Sequence, residues 1–230
     1  CVKDPEDPQG TGEPGGEQGS EPSIKLIAVG EATFAPFEFV DPDTEKLTGF
    51  DVDLITAVAE ASGFEVEYRN MDWNSLIAAL LNKEADLIVS GMTINDERAL
   101  QVAFSDPYFA SGQAWCTKTD SDIKVLSDLA GKTVAVQIIK RLSNAADVFN
   151  ELKAGGCDAV ISDLPVIQEY LKNNPGDDVV IPEPAFTVEY YGIAMRKEDK
   201  EIHSLINKGL AQLKVDGTYD EIYGKYFDTN

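Results

Sequence analysis

Beyond residue 23 the sequence alternates short apolar runs with segments of helical period, and no other feature limits the possible folds as strongly. Strands are expected at 24–30, 64–69, 86–90, 113–117, 132–138, 157–162, 179–181 and 190–196, from apolar runs or period-two alternation. Helices are expected at 51–62, 74–82, 95–102, 144–153, 165–172, 200–215 and 219–226. In the first of these, Val52, Ile55, Val58 and Ala59 fall on one face, and Gly63 is a natural C-cap. Asn74 is expected to cap the second helix, and Pro165 is tolerated in the first turn of the fifth. Strands separated by helices imply parallel βαβ units, hence an α/β fold. The sequence carries no internal repeat that would indicate a solenoid or propeller.

Residues 1–23 are different in kind. They hold five glycines, four prolines and no aromatic residue. Such a segment buries too little apolar area to offset its ordering entropy, so a disordered tether is expected there. A leading Cys1, a tether and a globular body together resemble a mature bacterial lipoprotein, with lipid carried on the Cys1 thiol. The alternative is a chain boundary that falls on a cysteine by chance. Cys116 and Cys157 lie in apolar, strand-like runs and read as buried free thiols; a disulfide between them is the other possibility outside the cell.

Charge narrows the function classes. Nineteen basic against 41 acidic residues give a net charge of −22, which repels phosphate and argues against nucleic acid and anionic membrane faces as partners. One histidine, His203, leaves little for His-based metal sites or Ser-His-Asp catalysis, and it is expected at the surface. No metal and no cofactor is expected. The acidic clusters 41–45, 177–178 and 198–201 lack a metal-ligand spacing and read as solvated loops.

Several segments occur in a telling order: Glu31-Ala-Thr-Phe34-Ala-Pro36-Phe37-Glu38-Phe39, then Gly49-Phe50-Asp51-Val-Asp53-Leu, then Ser90-Gly91-Met-Thr93-Ile-Asn-Asp96-Glu97-Arg98. Phe104-Ser-Asp-Pro-Tyr108, Asp158-Ala-Val-Ile-Ser162-Asp163 and Gly217-Thr-Tyr219 follow. Together they resemble the polar amino-acid solute-binding proteins of ABC importers, family 3 of the bacterial extracellular solute-binding proteins, over about 24–227. The resemblance implies a two-lobed, type II periplasmic-binding-protein-like α/β fold. Lobe one would be 24–109 plus 192–230, lobe two 110–191, with hinges near 108–112 and 187–191. A ligand would sit in the cleft between them. The chain would act as a monomer on the outer face of a bacterial, Gram-positive membrane, delivering an L-amino acid to ABC permease subunits.

The same resemblance assigns roles in the site. Arg98 would grip the ligand carboxylate, for which a guanidinium is better shaped than an ammonium, with the Thr93 hydroxyl and the Gly91 backbone beside it. Read without the family, Arg98 is a surface residue paired to Asp96 or Glu97. Asp163 would accept from the ligand ammonium, and Ser90 would add a carbonyl; the plain alternative for Asp163 is the N-cap of the following helix. Phe34 and Trp73 would sandwich the ligand side chain, while Phe37, Phe39 and Phe50 pack the core. Glu31 would face the side-chain tip, or lie solvated in a loop. This set favours a polar or cationic ligand such as arginine, lysine, histidine or glutamine.

One departure stands out. The run Thr133-Val-Ala-Val-Gln-Ile138 continues straight into Ile139-Lys-Arg-Leu142. In the resemblance these are separate parallel strands, and parallel neighbours need a crossover of a dozen or more residues. A Gly- and Thr/Ser-rich loop that would donate backbone N–H groups to the carboxylate is missing at 138–139, through omission, deletion or native rearrangement. Two other functions remain open: a ligand-sensing lipoprotein without transport, and a cyclohexadienyl-dehydratase-like enzyme, for which Glu31 is the one candidate general acid.

Overall fold

The computed structural model describes residues 24–136 and 145–227. The tether, Cys1 and the junction at 138–139 lie outside the described residues.

The chain opens with β1 (Lys25–Gly30), then β2 (Thr33–Phe34), β3 (Glu38–Val40) and β4 (Leu47–Thr48), which pair antiparallel with one another. Helix α1 (Phe50–Ser62) buries Leu54, Ile55, Val58 and Ala59 on one face and ends at Gly63, left-handed at φ 76°. Next come β5 (Glu65–Asn70), α2 (Leu76–Leu81), β6 (Leu87–Ile88), α3 (Asp96–Ala99) and β7 (Ala103–Phe104). Then β8 (Phe109–Ser111) leads to β9 (Gln113–Lys118), β10 (Val134–Val136), α4 (Ala145–Ala154), β11 (Ala159–Asp163), α5 (Leu164–Asn173) and β12 (Val179–Val180). The return passes through β13 (Glu189–Tyr191) and β14 (Ala194–Met195) to α6 (Lys200–Asp216) and α7 (Thr218–Phe227).

Two sheets result. The first has the order β5-β1-β6-β14-β7, with β1 parallel to β5 and β6. The second has the order β10-β11-β9-β12, with β10 parallel to β11 across α4. Strands β8 and β13 form an antiparallel two-stranded ribbon through which the chain leaves the first sheet and returns to it. An aromatic cluster packs the start of this ribbon: Phe37 lies 4.9 Å from Phe109 and 5.2 Å from Tyr191 between ring centroids, and Phe50 lies 5.7 Å from Phe109.

Four expectations needed correction. The run 190–196 is not one strand: β13 and β14 lie in different sheets, separated at Gly192, where an added Cβ would come within 2.9 Å of Ile94. The helix expected at 74–82 begins as a 3₁₀ turn, Trp73–Ser75, capped by Asp72 rather than Asn74; the Asp72 side chain accepts from the Asn74 N–H at 3.0 Å. Helix α3 is shorter than 95–102, because Asn95 caps it and it ends at Ala99. His203 is half-buried, with Nε2 3.0 Å from the Phe104 carbonyl oxygen. Cys116 and Cys157 are buried free thiols, and burial pushes the Cys116 thiol up to about 12.

Beneath the first sheet's site-facing end lie two fully buried acids, Glu38 on β3 and Asp51 on α1. Asp51 Oδ2 accepts from the Gly91 N–H at 2.7 Å and the Tyr108 hydroxyl at 2.7 Å, while Glu38 Oε1 accepts from the Ser90 hydroxyl. Among the described residues Glu38 Oε2 and Asp51 Oδ1 have no other partner, and a proton held between the two carboxyls would satisfy both. Burial, first of all, raises both: Asp51 to about 6 and Glu38 well above its ordinary range. The pair thereby fixes Ser90, Gly91 and the start of the ribbon at once.

Two outcomes follow. Helices α1 and α6 meet at Gly209, where a Cβ would sit 2.5 Å from Ser62 Oγ and 2.8 Å from Val58 Cγ1. Gly209→Val is expected to cost about 1–3 kcal/mol of unfolding free energy by overpacking, read by urea titration. An acid that holds its proton more tightly folded than unfolded contributes stability that is complete below its unfolded value and is lost as the pH rises through its folded value. For Asp51 that window runs from 3.8 to about 6. Unfolding free energy is therefore expected to fall across it, and Glu38→Gln, which needs no proton, to gain on the wild type from pH 5 to pH 8. A constant difference between the two proteins would refute the shared proton.

Candidate ligand-binding site

The eight residues singled out in the sequence fall on two sides of the ribbon. Seven lie with the first sheet and Asp163 lies at the end of β11 in the second.

Arg98 is half-buried on α3 and forms no ion pair within 4.0 Å among the described residues, so the surface pairing to Asp96 or Glu97 is not made. Its backbone N–H is taken by the Asn95 cap at 2.9 Å. One guanidinium nitrogen donates to the Thr93 carbonyl at 2.8 Å, and the group lies over the Trp73 ring, 5.3 Å from its centroid. The remaining N–H groups of the fork are left for another acceptor. Burial opposes its charge, and the nearby charges of Glu189, Glu97 and Asp163 support it.

Glu31, just after β1, is 7 % exposed rather than solvated. Its backbone N–H donates to the Ser90 hydroxyl at 3.1 Å. Burial, and then the charge of Asp72, push its carboxyl up to about 7. Phe34 is buried and stacks on Phe37 at 5.5 Å, and its ring edge lies against Gly91, where an added Cβ would come within 2.6 Å of it. Gly91 also holds φ at 49°, so both space and backbone call for glycine there. Trp73 stacks under Arg98; among the described residues it forms no ring contact with Phe34.

Asp163 occupies the N-cap position of α5, yet its side chain makes no capping bond. It accepts instead from the Tyr191 hydroxyl at 2.5 Å and from the Gln113 side-chain amide. Its carboxyl is raised to about 6, by burial first of all; Tyr191, Gln113 and Arg98 oppose the rise and the Glu189 charge adds to it. The Thr93 hydroxyl, expected to assist Arg98, donates to Glu189 Oε2 at 3.0 Å.

Gln113, Glu189 and Tyr191 were not singled out in the sequence. The period-two run Thr187-Val-Glu189-Tyr-Tyr191 puts Thr187, Glu189 and Tyr191 on one face of a strand, which was the available signal. Among the described residues no cluster of His, Cys, Asp and Glu is placed to hold a metal, and no helix is long and apolar enough to cross a membrane. A separate cavity of about 650 Å³ lies between the ribbon, α5 and α7, lined by Phe109, Gln168, Lys172, Tyr223 and Phe227 among others; it contains none of the eight residues.

Residues 26–229 match the model of the bacterial extracellular solute-binding proteins, family 3. Among curated relatives, a probable histidine-binding protein of Neisseria gonorrhoeae is 36% identical over 95% of this chain and 88% of its own length. The arginine-binding extracellular protein ArtP of Bacillus subtilis is 37% identical over 95% of this chain and 91% of its own. Among solved structures, ArtJ of Geobacillus stearothermophilus, an arginine-, lysine- and histidine-binding protein, has a TM-score of 0.84 and 37% identity, covering 90% of this chain and 96% of its own. An ancestral arginine-binding protein bound to glutamine has a TM-score of 0.83 and 44% identity, covering 88% of this chain and 97% of its own. The chain therefore belongs to family 3 of the bacterial extracellular solute-binding proteins, with their type II periplasmic-binding-protein fold.

Proposed function

We propose that the chain captures a cationic L-amino acid between two lobes, 24–109 plus 192–230 and 110–191, and passes it to the permease of an ABC importer. It does so as a monomer, without turnover, held at the outer face of a Gram-positive membrane by lipid on Cys1. The observation that carries this reading is the relation of Arg98 to Asp163. A half-buried guanidinium with donors to spare and a buried carboxylate belonging to the other sheet are close enough to influence each other's charge. They complement the carboxylate and ammonium of an α-amino acid.

The cationic preference rests on charge balance. Among the described residues Glu31, Asp163 and Glu189 stand against Arg98, so a zwitterion leaves this set negative and a ligand with one further positive charge moves it toward neutrality. Relatives named for histidine and arginine support the same class. Gly91 and Thr93 would accompany Arg98, Ser90 would support the ammonium, Phe34 and Trp73 would flank the side chain, and Glu31 would meet its tip. The direct junction at 138–139 would remove lobe-two donors to the ligand carboxylate and leave that work to Arg98.

A thermal-shift screen of the twenty L-amino acids tests the class. A ligand at 100 times its Kd stabilises by about 2.7 kcal/mol, and one related group of cationic amino acids is expected to respond. Arg98→Ala is expected to cost at least about 2–3 kcal/mol of binding, by leaving the ligand carboxylate unpaired. Glu31→Gln is expected to weaken arginine far more than glutamine; equal losses would take Glu31 out of the pocket. Both acids must be ionised to meet a cation, so affinity for arginine is expected to fall as the pH drops through about 7 for Glu31 and about 6 for Asp163. Binding at pH 6.5 should release protons, detected by calorimetry in buffers of different ionisation enthalpy; proton uptake would contradict the assignment.

A further inference from the structure

Glu189 opens β13, the return strand of the ribbon. Its Oε2 accepts from the Thr93 hydroxyl at 3.0 Å and lies 3.5 Å from the Gln113 side-chain nitrogen, while its Oε1 accepts from the Thr187 hydroxyl at 3.2 Å. Each neighbour leads on to one half of the head-group site. The Thr93 carbonyl holds Arg98, and the Gln113 amide holds Asp163. Thr187 in turn takes the Gln113 backbone N–H at 2.7 Å, which fixes the residue that carries the amide. An ionised carboxylate only accepts, so it turns each of these donors toward itself and decides which way the Thr93 hydroxyl and the Gln113 amide point.

We propose that Glu189, acting through Gln113, is a positioning residue that ties the carboxylate clamp at Arg98 and Thr93 to the ammonium acceptor Asp163, so that the α-amino-acid head group is read at both ends as one unit. This rests on the amino-acid reading above. Glu189 touches no ligand in this scheme; it sets the geometry of the residues that do. With Glu189 in place, Asp163 faces Glu189, Arg98, Tyr191 and Gln113, and the Glu189 charge raises its proton affinity.

The experiment is calorimetric titration of the full chain with L-arginine, L-lysine and L-histidine across pH 5 to 8. The proteins are the wild type, Glu189→Gln, Glu189→Asp, Gln113→Ala and the Glu189→Gln/Gln113→Ala double variant, each first checked for cooperative unfolding. Glu189→Gln and Gln113→Ala are each expected to weaken binding by about 2- to 30-fold, the range of coupling through linked side chains. The double variant should bind no worse than the weaker single, because both changes break one link. In Glu189→Gln the acid limb of the affinity profile should move to lower pH. Glu189→Asp keeps the charge and shortens the reach, so it should weaken binding with the limb unmoved, and it serves where the Gln variant does not fold. Additive losses, or an unmoved limb in Glu189→Gln, would overturn the link. Wild-type binding with unaltered variants overturns the link alone; no wild-type response to any of the three amino acids overturns the amino-acid reading and the link with it.

Discussion

One guanidinium stands against an excess of buried acid, and much else in the molecule is arranged around that imbalance. Arg98, Asp163 and Glu189 act on one another's charge, and Glu31 acts on the fully buried Glu38, beside Asp51. Carboxylates out of water must find a proton, a donor or a cation. In the Glu38–Asp51 pair Asp51 accepts from Gly91 and Tyr108 and Glu38 from Ser90, and burial raises the proton affinity of both. Asp163 uses donors from Tyr191 and Gln113. Among the described residues Glu31 has neither an ion pair nor a side-chain donor, and burial pushes its carboxyl up to about 7. A bound cation would supply what the protein itself withholds, so affinity and the protonation of the site are two expressions of one free energy.

The ribbon gives that chemistry a mechanical setting. Among the described residues the chain passes between the two sheets through β8 and β13, and Tyr191 on β13 reaches from a first-sheet bridge with Thr93 to Asp163 on β11. Any change in the angle between the sheets would therefore pass through residues that already bond to Asp163 and Thr93. Hinged closure in such architectures needs a few residues that absorb the backbone change while the flanking sheets stay rigid. The close packing of Phe37, Phe109 and Tyr191 limits where that change can occur.

The parts of the fold legible in the sequence were those with local causes. Helix α1 followed from its apolar spacing and its Gly63 cap, and β1 from an apolar run bounded by glycine. What the sequence hid depended on tertiary pairing. The run 190–196 has one hydrophobic pattern, and nothing local reveals that the chain changes sheets at Gly192, where Ile94 crowds the backbone. Asp163 stands where a helix cap belongs, but the Tyr191 hydroxyl from another strand competes for it. For Arg98 the family resemblance pointed to a role that charge and position alone left open against a surface ion pair. For Glu189 the period-two run gave only a strand face; its meaning comes from Thr93 and Gln113, which are distant from it in sequence.

The buried thiols have a practical consequence. Cys116 is fully enclosed with its thiol pushed up to about 12, and Cys157 is enclosed and raised as well, by burial first in both cases. Thiolate, the species that alkylating reagents attack, is scarce at both positions near neutral pH. The two buried thiols are thus disfavoured as maleimide targets, and with Cys1 blocked, cysteines introduced at exposed sites such as Thr33 and Lys172 are expected to take dyes across the two sheets without removal of the buried pair.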